Sequence, residues 1–455
     1  MPDPKGAARP VDESYVALRD DALTVFAAGV EAADPARAVK RALRIGLGGG
    51  AVIGRDEVLF PGKLRIVAVG KAACTMAQAA LEVLPPQVFE GPGIAIVNDE
   101  NFRAIGRMRV LKAGHPLPDS RGEAAVREVE KYLSGSRRED GTLVLISGGG
   151  SALAPAPADG ITLEEKIAVT KLLLHSGADI GEMNAVRKHL SRTKGGGLAA
   201  RAHPAALEAL ILSDVIGDDL STIASGPTAP DPTTFAQARD VLVQRGVWGD
   251  APEAVRARIE RGMAGSIAET PKPPDAVFAK VRNRIVGSNA LSLEAAAKRA
   301  AELGYEVVIA SRALTGEASD AARMFAARLG ERSKPAKPVA ILAGGETTVT
   351  VRGAGRGGRN QELALAFSVE ARKLAPAPRV WAFLSGGTDG RDGPTDSAGA
   401  IVDPGTIARG ESKGHSAHGS LEANDSYSFL EASGDHLRTG PTGTNVADLH
   451  ILLVR

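Results

Sequence analysis

Hydrophobic positions along this chain follow two alternating patterns, short apolar runs and longer stretches at helical spacing. Residues 64–69, 93–97, 108–112 and 142–146 are short apolar-rich runs, and 142–146 is unbroken, as in a strand buried on both faces. Residues 13–33 place Val16, Leu18, Leu23, Val25 and Phe26 on one side of an amphipathic helix. Asp34-Pro35 then supplies an N-cap and a first-turn proline for the next helix. Helices are predicted over 74–84, 120–132, 162–175, 182–190 and 233–245, and a strand starts at 210–212. From 261 to 274 the chain turns to Gly, Pro, Ser and Thr, which marks either a domain boundary or a loop inside one domain. Beyond it, strands are predicted at 284–286, 306–310, 339–342, 347–351, 380–384 and 448–454, with helices at 289–303, 317–330 and 361–374. This alternation predicts an α/β fold. It divides the chain into two domains: residues 1–270, with a parallel sheet covered by helices on both faces, and residues 271–455. The last strand is free to pack back on the first domain.

Composition narrows the function classes. With 55 basic and 54 acidic residues the formal net charge is +1, which gives no electrostatic case for nucleic acid or an anionic membrane. Aromatic residues make up only 4%, too few for base-stacking platforms. Cys74 is the one cysteine, so neither an internal disulfide nor a Cys-rich zinc site is expected. No apolar stretch approaches the ~18 residues of a membrane span. Met1-Pro2-Asp3-Pro4-Lys5-Gly6 lacks the basic-then-apolar pattern of a leader, so a cytoplasmic protein is expected. A homo-oligomer is compatible with the sequence and not required by it.

Three glycine-rich, hydroxyl-bearing segments follow strands: 147–151, 353–360 and 385–390. In parallel α/β sheets ligands bind beyond the carboxyl ends of the strands. The run Ser147-Gly148-Gly149-Gly150-Ser151 is either a nest of backbone N–H groups for phosphate or a plain strand-to-helix connection. Lys71 ends a buried strand, where it serves as a point charge on phosphate or snorkels to the surface. Gly353-Ala354-Gly355-Arg356-Gly357-Gly358 matches the dinucleotide spacing, yet the next strand ends Phe383-Leu384-Ser385 without the acid such a fold requires. With Arg352, Arg356 and Arg359 in and around it, this loop reads as an anion clamp. Asp214 and Asp389 follow strands and either hold Mg²⁺ or cap turns. No Walker-type phosphate loop, nucleophile elbow or H-E-x-x-H helix is present.

The motifs also occur in a recognisable order. Val69-Gly70-Lys71-Ala72-Ala73, the 147–153 segment, Asn184-Ala185-Val186-Arg187-Lys188-His189, Lys194-Gly195-Gly196, Ser213-Asp214-Val215 and Ala224-Ser225-Gly226-Pro227-Thr228 lie in the first half. Gly344-Gly345-Glu346-Thr347-Thr348, Gly357-Gly358-Arg359-Asn360-Gln361-Glu362, Gly387-Thr388-Asp389-Gly390 and Gly440-Pro441-Thr442-Gly443-Thr444-Asn445 lie in the second. From about Tyr15 onward the chain resembles the class II glycerate kinases, whose C-terminal part is the MOFRL domain. The resemblance implies a Rossmann-like first domain, an α/β MOFRL domain and an active site in the cleft between them. It implies ATP-dependent phosphorylation of D-glycerate on its 2-hydroxyl, giving 2-phosphoglycerate and ADP, with Mg²⁺. On this reading Lys71, Arg359, Asp214 and Asp389 are catalytic, and the two aspartates hold Mg²⁺ or accept the proton of the attacking hydroxyl, roles the sequence does not divide. Gly148, Gly149, Gly150, Ser151, Lys194 and Gly195 bind the nucleotide, while Asn184, Arg187, Arg356 and Asn360 bind the acceptor. The alternatives are an NAD(P)H-dependent hydroxypyruvate reductase, a label some such proteins carry, and a non-enzymatic anion sensor.

Overall fold

The computed structural model describes residues 13–45, 51–53, 56–58, 62–332, 335–374 and 380–455. The six residues read above for a leader pattern lie outside these. Residues 34–288 form one compact unit, and the chain through Ala33 joins residues 289–455 in the other.

The first unit is built on six strands: β1 (Leu64–Val69), β2 (Gly93–Val97), β3 (Met108–Lys112), β4 (Gly141–Ile146), β5 (Ala206–Leu212) and β6 (Val281–Gly287). All neighbours pair in parallel, in the order β3-β2-β1-β4-β5-β6. This is the doubly wound Rossmann order, with its reversal between β1 and β4. Every residue of β1 and β4 is buried, the charged Arg65 included. One face of the sheet, through Val67, Val69, Val144 and Ile146, packs on the helices Ser120–Leu133 and Gly197–Ala202. Helix Ala73–Val83 packs against β1 and β2. Four further helices, Leu163–His175, Ile180–His189, Phe235–Gln244 and Glu253–Met263, close around their own core of Val169, Leu173, Val186, Phe235 and Ile259. The first two begin in full capping boxes, at Thr162 with Glu165 and at Asp179 with Glu182.

The boundary therefore falls after Ser288, not after residue 270. The run expected to open the second domain is β6, which completes the first sheet by pairing Leu207 with Val281 and Ile211 with Ile285. The Gly/Pro-rich segment before it has the composition of a linker but is bound into the unit. Thr270 donates to Asp231 at 2.8 Å, and the Pro271 carbonyl accepts from the Asp231 N–H at 3.0 Å.

The second unit holds β7 (Glu306–Leu314), β8 (Val339–Gly345), β9 (Trp381–Gly387), β10 (Gly399–Val402), β11 (His436–Leu437) and β12 (Asp448–Val454), in the order β7-β8-β12-β9-β10-β11. Only β7 and β8 pair in parallel, so this sheet is mixed. The final strand, left free by the sequence to pack back on the first domain, belongs to the second unit. It is the centre of its own sheet, with Leu452 opposite both Ile341 and Phe383. Residues 347–351 form no strand, only a bridge between Thr348 and Glu317, and Val351 is exposed. Phe325, Phe367 and Phe383 stack on one face of the sheet under the helices Ala318–Glu331 and Arg359–Ala371.

The other face is covered by Asn289–Glu302 and by the N-terminal helix Glu13–Ala32, through Leu18, Ala22, Val25 and Phe26. Polar bonds fix that helix in place. Arg19 donates to Asp403 and Asp435 at 2.7 and 2.9 Å, and Tyr305 donates to Asp21 at 2.6 Å. No helix among the described residues is long and apolar enough to cross a membrane.

Two buried groups make testable contributions to stability. Asp140, 2% exposed, accepts from Arg65 at 2.8 Å and from the Lys63 and Arg137 N–H groups, joining the start of β4 to β1. Asp140→Ala leaves the Arg65 cation buried and unpaired, and urea unfolding is expected to show a loss of about 3–5 kcal/mol. His450, fully buried in β12, meets Ser385 Oγ through Nδ1 at 2.9 Å while its Nε2 has no partner. Burial holds its pKa down at about 4, against the pull of Asp448. The unfolded chain binds this proton below about pH 6.5. The stability contribution is therefore complete above that pH and is lost as the pH falls towards 4, to a limit of about 3 kcal/mol. Melting curves across this window are expected to be flatter for His450→Gln than for the parent.

Candidate functional site

In the first unit the candidate residues gather where the strand order reverses. The loops leaving β1 and β4 touch there, which a side chain at Gly70 would prevent. Gly70 has φ +127°, and a Cβ on it would collide with Ser147. With that space free, the Lys71 N–H donates to the Gly148 carbonyl at 2.9 Å and the Ala72 N–H to Ser147 Oγ at 3.1 Å. Gly149 has φ +82°, so the glycine run turns sharply into the short helix Gly150–Leu153.

Lys71, His115 and Asp214 surround this turn, all half-buried. A Cβ at Gly149 would lie 2.9 Å from His115 Cδ2 and 3.4 Å from Lys71 Cγ, and one at Gly148 would lie 2.5 Å from Asp214 Oδ2. Burial raises the Asp214 pKa above the usual carboxylate range, although Lys71 and the Gly149 N–H pull the other way. Burial, then the Lys71 charge, lowers the His115 pKa and favours neutral imidazole. The Lys71 ammonium makes no hydrogen bond among the described residues, leaving a cation open beside two glycines.

Ser151, Asn184, Arg187 and Lys194 form a second cluster in this unit. Lys194 Nζ donates to both the carbonyl and Oγ of Ser151 at 2.8 Å, and Arg187 donates to the same Oγ. Ser151 Oγ lies 2.9 Å from Ser225 Oγ, and Ser225 donates to Asn184 Oδ1 at 2.9 Å. Gly195 and Gly196 adopt φ +53° and +81° and are held by the carbonyls of Ser225 and Gly226 at 3.0 and 2.7 Å. The sequence separated these residues into nucleotide and acceptor groups, whereas the structure brings Lys194 and Arg187 onto the Ser151 hydroxyl and links Asn184 to it through Ser225.

The second unit places its candidates differently. Arg359 is not an open fork. It grips Asp448 with two bonds, at 2.6 and 2.9 Å, and lies 3.1 Å from Glu346. Arg356 is exposed and stacks 3.9 Å over the Tyr427 ring. The loop glycines at 353, 355 and 357 pack against residues 423–426. Asn360 is fully buried, accepting from Ser385 at 2.7 Å and donating to Asp392, so it braces the loop. Asp392 also receives the N–H groups of Asn360 and Gln361 at 3.1 and 2.9 Å, at the start of the helix Arg359–Ala371. Asp389 is half-buried and accepts the Arg391 N–H at 2.9 Å, as a turn aspartate does. The expected anion clamp is thus rich in carboxylates.

Sequence reasoning gave no role to four groups. His115 was visible only as part of a stiff proline-flanked loop. Ser225 lay inside a quoted motif with nothing to set it apart. Lys166, buried and donating to the Pro155 carbonyl at 2.6 Å, looked like an ordinary helix residue. Glu362 stands in the first turn of the helix that Arg359 opens, and its pKa is pushed up to about 7 by burial and by Glu317 and Asp392.

Comparisons with known proteins agree with this architecture. Residues 21–260 match the family described as Domain of unknown function (DUF4147), and residues 339–448 match the MOFRL family. The chain is 41% identical over 96% of its length to a glycerate 2-kinase of Pyrococcus horikoshii, covering 97% of that protein. It is 42% identical over 86% of its length to an Agrobacterium vitis protein provisionally named a hydroxypyruvate reductase, covering 87% of it. The crystal structure of a glycerate kinase from Thermotoga maritima superposes with a TM-score of 0.85 at 38% identity, over 97% of this chain and all of that one. Shared sequence over nearly the whole length, both family matches and the common fold together show that the chain belongs to the class II glycerate kinase family.

Proposed function

We propose that the protein transfers the γ-phosphoryl group of ATP to the 2-hydroxyl of D-glycerate, giving 2-phosphoglycerate and ADP. The observation that carries this reading is the near-full-length likeness to proteins named glycerate kinase, from Pyrococcus horikoshii at 41% identity to human at 36%. The geometry at the β1/β4 reversal supports it. Phosphoryl transfer asks a protein chiefly for positioning and charge neutralisation, and the first unit offers both.

In this mechanism the Gly148–Gly150 backbone receives the nucleotide phosphates and the open Lys71 ammonium offsets charge on the group in transfer. Asp214, with its raised pKa, accepts the proton of the attacking hydroxyl. Gly195 shapes the turn that carries Lys194. In the second unit Asp389 and Arg359 are the proposed catalytic residues, Arg359 with its charge already shared with Asp448.

Mg²⁺ fits this donor set as an ion held jointly with phosphate oxygens. Among the described residues no three His, Cys, Asp or Glu side chains converge as an all-protein cage. Mg²⁺ commonly uses only one or two carboxylates in kinase sites. With Asp214 as the base, Asp389 is the carboxylate that would hold it, and when bound it would offset charge on the phosphate oxygens. A cytoplasmic setting belongs to the same reading.

The assay is purified protein with D-glycerate, ATP and Mg²⁺, following ADP and identifying the phosphoglycerate isomer, beside a reaction of hydroxypyruvate with NADH. ADP and 2-phosphoglycerate are expected; NADH loss without ADP would favour the reductase. Lys71→Ala is expected to lower kcat about 10²- to 10³-fold with the melting temperature unchanged. Gly148→Ala forces the Asp214 carboxylate aside and is expected to cost at least about tenfold in kcat, since misplaced catalytic groups are expensive. Arg359→Ala tests less cleanly. It strands the fully buried Asp448 and is expected to lower stability by about 3 kcal/mol as well as activity.

A further inference from the structure

The cluster on Ser151 contains more positive charge than its own chain satisfies. Lys166 and Lys194 are 5% and 3% exposed, Arg187 is half-buried, and no carboxylate pairs with any of the three among the described residues. Their hydrogen-bond acceptors are neutral oxygens, those of Ser151 and the Pro155 carbonyl. Buried charges in proteins are almost always paired, yet Arg187 and Lys194 meet on one neutral hydroxyl and Lys166, near enough to Lys194 to repel it, is bonded only to a carbonyl; an anion from outside the chain would balance this charge.

The hydrogen bonds around Ser151 leave one buried donor unused among the described residues. Ser151 Oγ accepts from Arg187 and Lys194, which leaves its proton for Ser225, and the Ser225 proton goes to Asn184 Oδ1. Asn184 is 2% exposed, yet its Nδ2 has no partner. A buried donor without an acceptor is rare in native proteins. Ser225 is held in place by a left-handed run, Ala224, Ser225 and Gly226 at φ 50°, 63° and 63°, and such strain concentrates at functional sites.

We propose that Arg187, Lys194 and the Asn184 amide form the subsite for the carboxylate of the acceptor, with Ser151 and Ser225 as its floor. The proposal rests on the kinase reading above. A planar guanidinium, an ammonium and an amide suit a small planar oxyanion, while the phosphates have the backbone nest beside Lys71. Ser151 is two residues beyond Gly149, the position facing Lys71 and His115. Consecutive Cα atoms are about 3.8 Å apart, and in a 2-hydroxy acid the hydroxyl carbon adjoins the carboxylate, so one small molecule reaches both places. Burial, then the neighbouring cations, pushes the pKa values of Lys166 and Lys194 well below the lysine range, as expected of a site awaiting its counter-charge.

The test is steady-state kinetics of Arg187→Gln with D-glycerate and ATP varied separately. The KM for D-glycerate is expected to rise about 30-fold, the effect of losing a charged hydrogen bond, with the KM for ATP within about threefold of the parent. Preference for D-glycerate over glycerol, which lacks the carboxylate, is expected to collapse in the same variant. An unchanged KM for D-glycerate, or a rise confined to ATP, overturns the proposal. Lys194→Met and Asn184→Leu provide a readout independent of turnover. Ligand-free Lys194→Met is expected to melt no lower than the parent because one clustered cation is gone, and D-glycerate is expected to raise the melting temperature of the parent alone. A destabilised Lys194→Met that D-glycerate still protects would mean a structural role. Calorimetric titration of D-glycerate into the parent without ATP separates the two readings: binding that Arg187→Gln abolishes supports the subsite even if no ADP forms.

Discussion

The first unit depends on a contact between two loops that ordinary side chains would not permit. Gly70 approaches Ser147 so closely that no Cβ fits, and the Lys71 and Ala72 N–H groups bond directly to the β4 loop. That contact places the end of β1 beside the glycine turn and so sets Lys71, His115 and Asp214 around the same two glycines. A doubly wound sheet brings some pair of loops together at its reversal point. Here the missing Cβ atoms decide that they meet edge to edge with their polar groups shared. Backbone entropy given up at the glycines is the cost of a turn tight enough for the two loops to share these hydrogen bonds.

The two units handle charge in opposite ways. The first concentrates cations without acids around Ser151, and the second surrounds Arg359 with Asp448 and Glu346 and keeps Asp392 and Glu362 close behind. An uncompensated buried cation costs stability when the site is empty and returns it when an anion binds. A guanidinium already gripped by a fully buried carboxylate is stable without a ligand and held in one orientation. The first arrangement suits capture of an anion, the second fixed positioning.

Much of this architecture was legible in the sequence because it depends on local signals. The strands at 93–97, 108–112 and 448–454 end where the apolar runs end, and Asp34 caps the helix its position announces. The domain boundary was not legible, because composition reports flexibility and not hydrogen bonding. Thr270 and Pro271 read as linker residues, yet both are bound to Asp231. Individual candidates such as Ser151, Arg187 and Lys194 stood out by motif, but their convergence on one hydroxyl comes from segments 36 to 74 residues apart. Spacing along the chain carries no trace of that. Lys166 and Glu362 were invisible for the same reason: burial makes them unusual, and burial is a property of the fold.

The placement of the N-terminal helix bears on how the chain is made. Leu18, Ala22, Val25 and Phe26 find their partners in Leu293, Leu342, Leu384 and Leu449, so an early helix is completed by residues translated more than 250 positions later. Residues 34–288 have their own sheet and can condense as they emerge, since domains generally fold as units. The helix must meanwhile wait with its apolar stripe incompletely covered until the strand Asp448–Val454 has emerged. Completion of the second unit thus depends on a helix made before the first unit and a strand made after it.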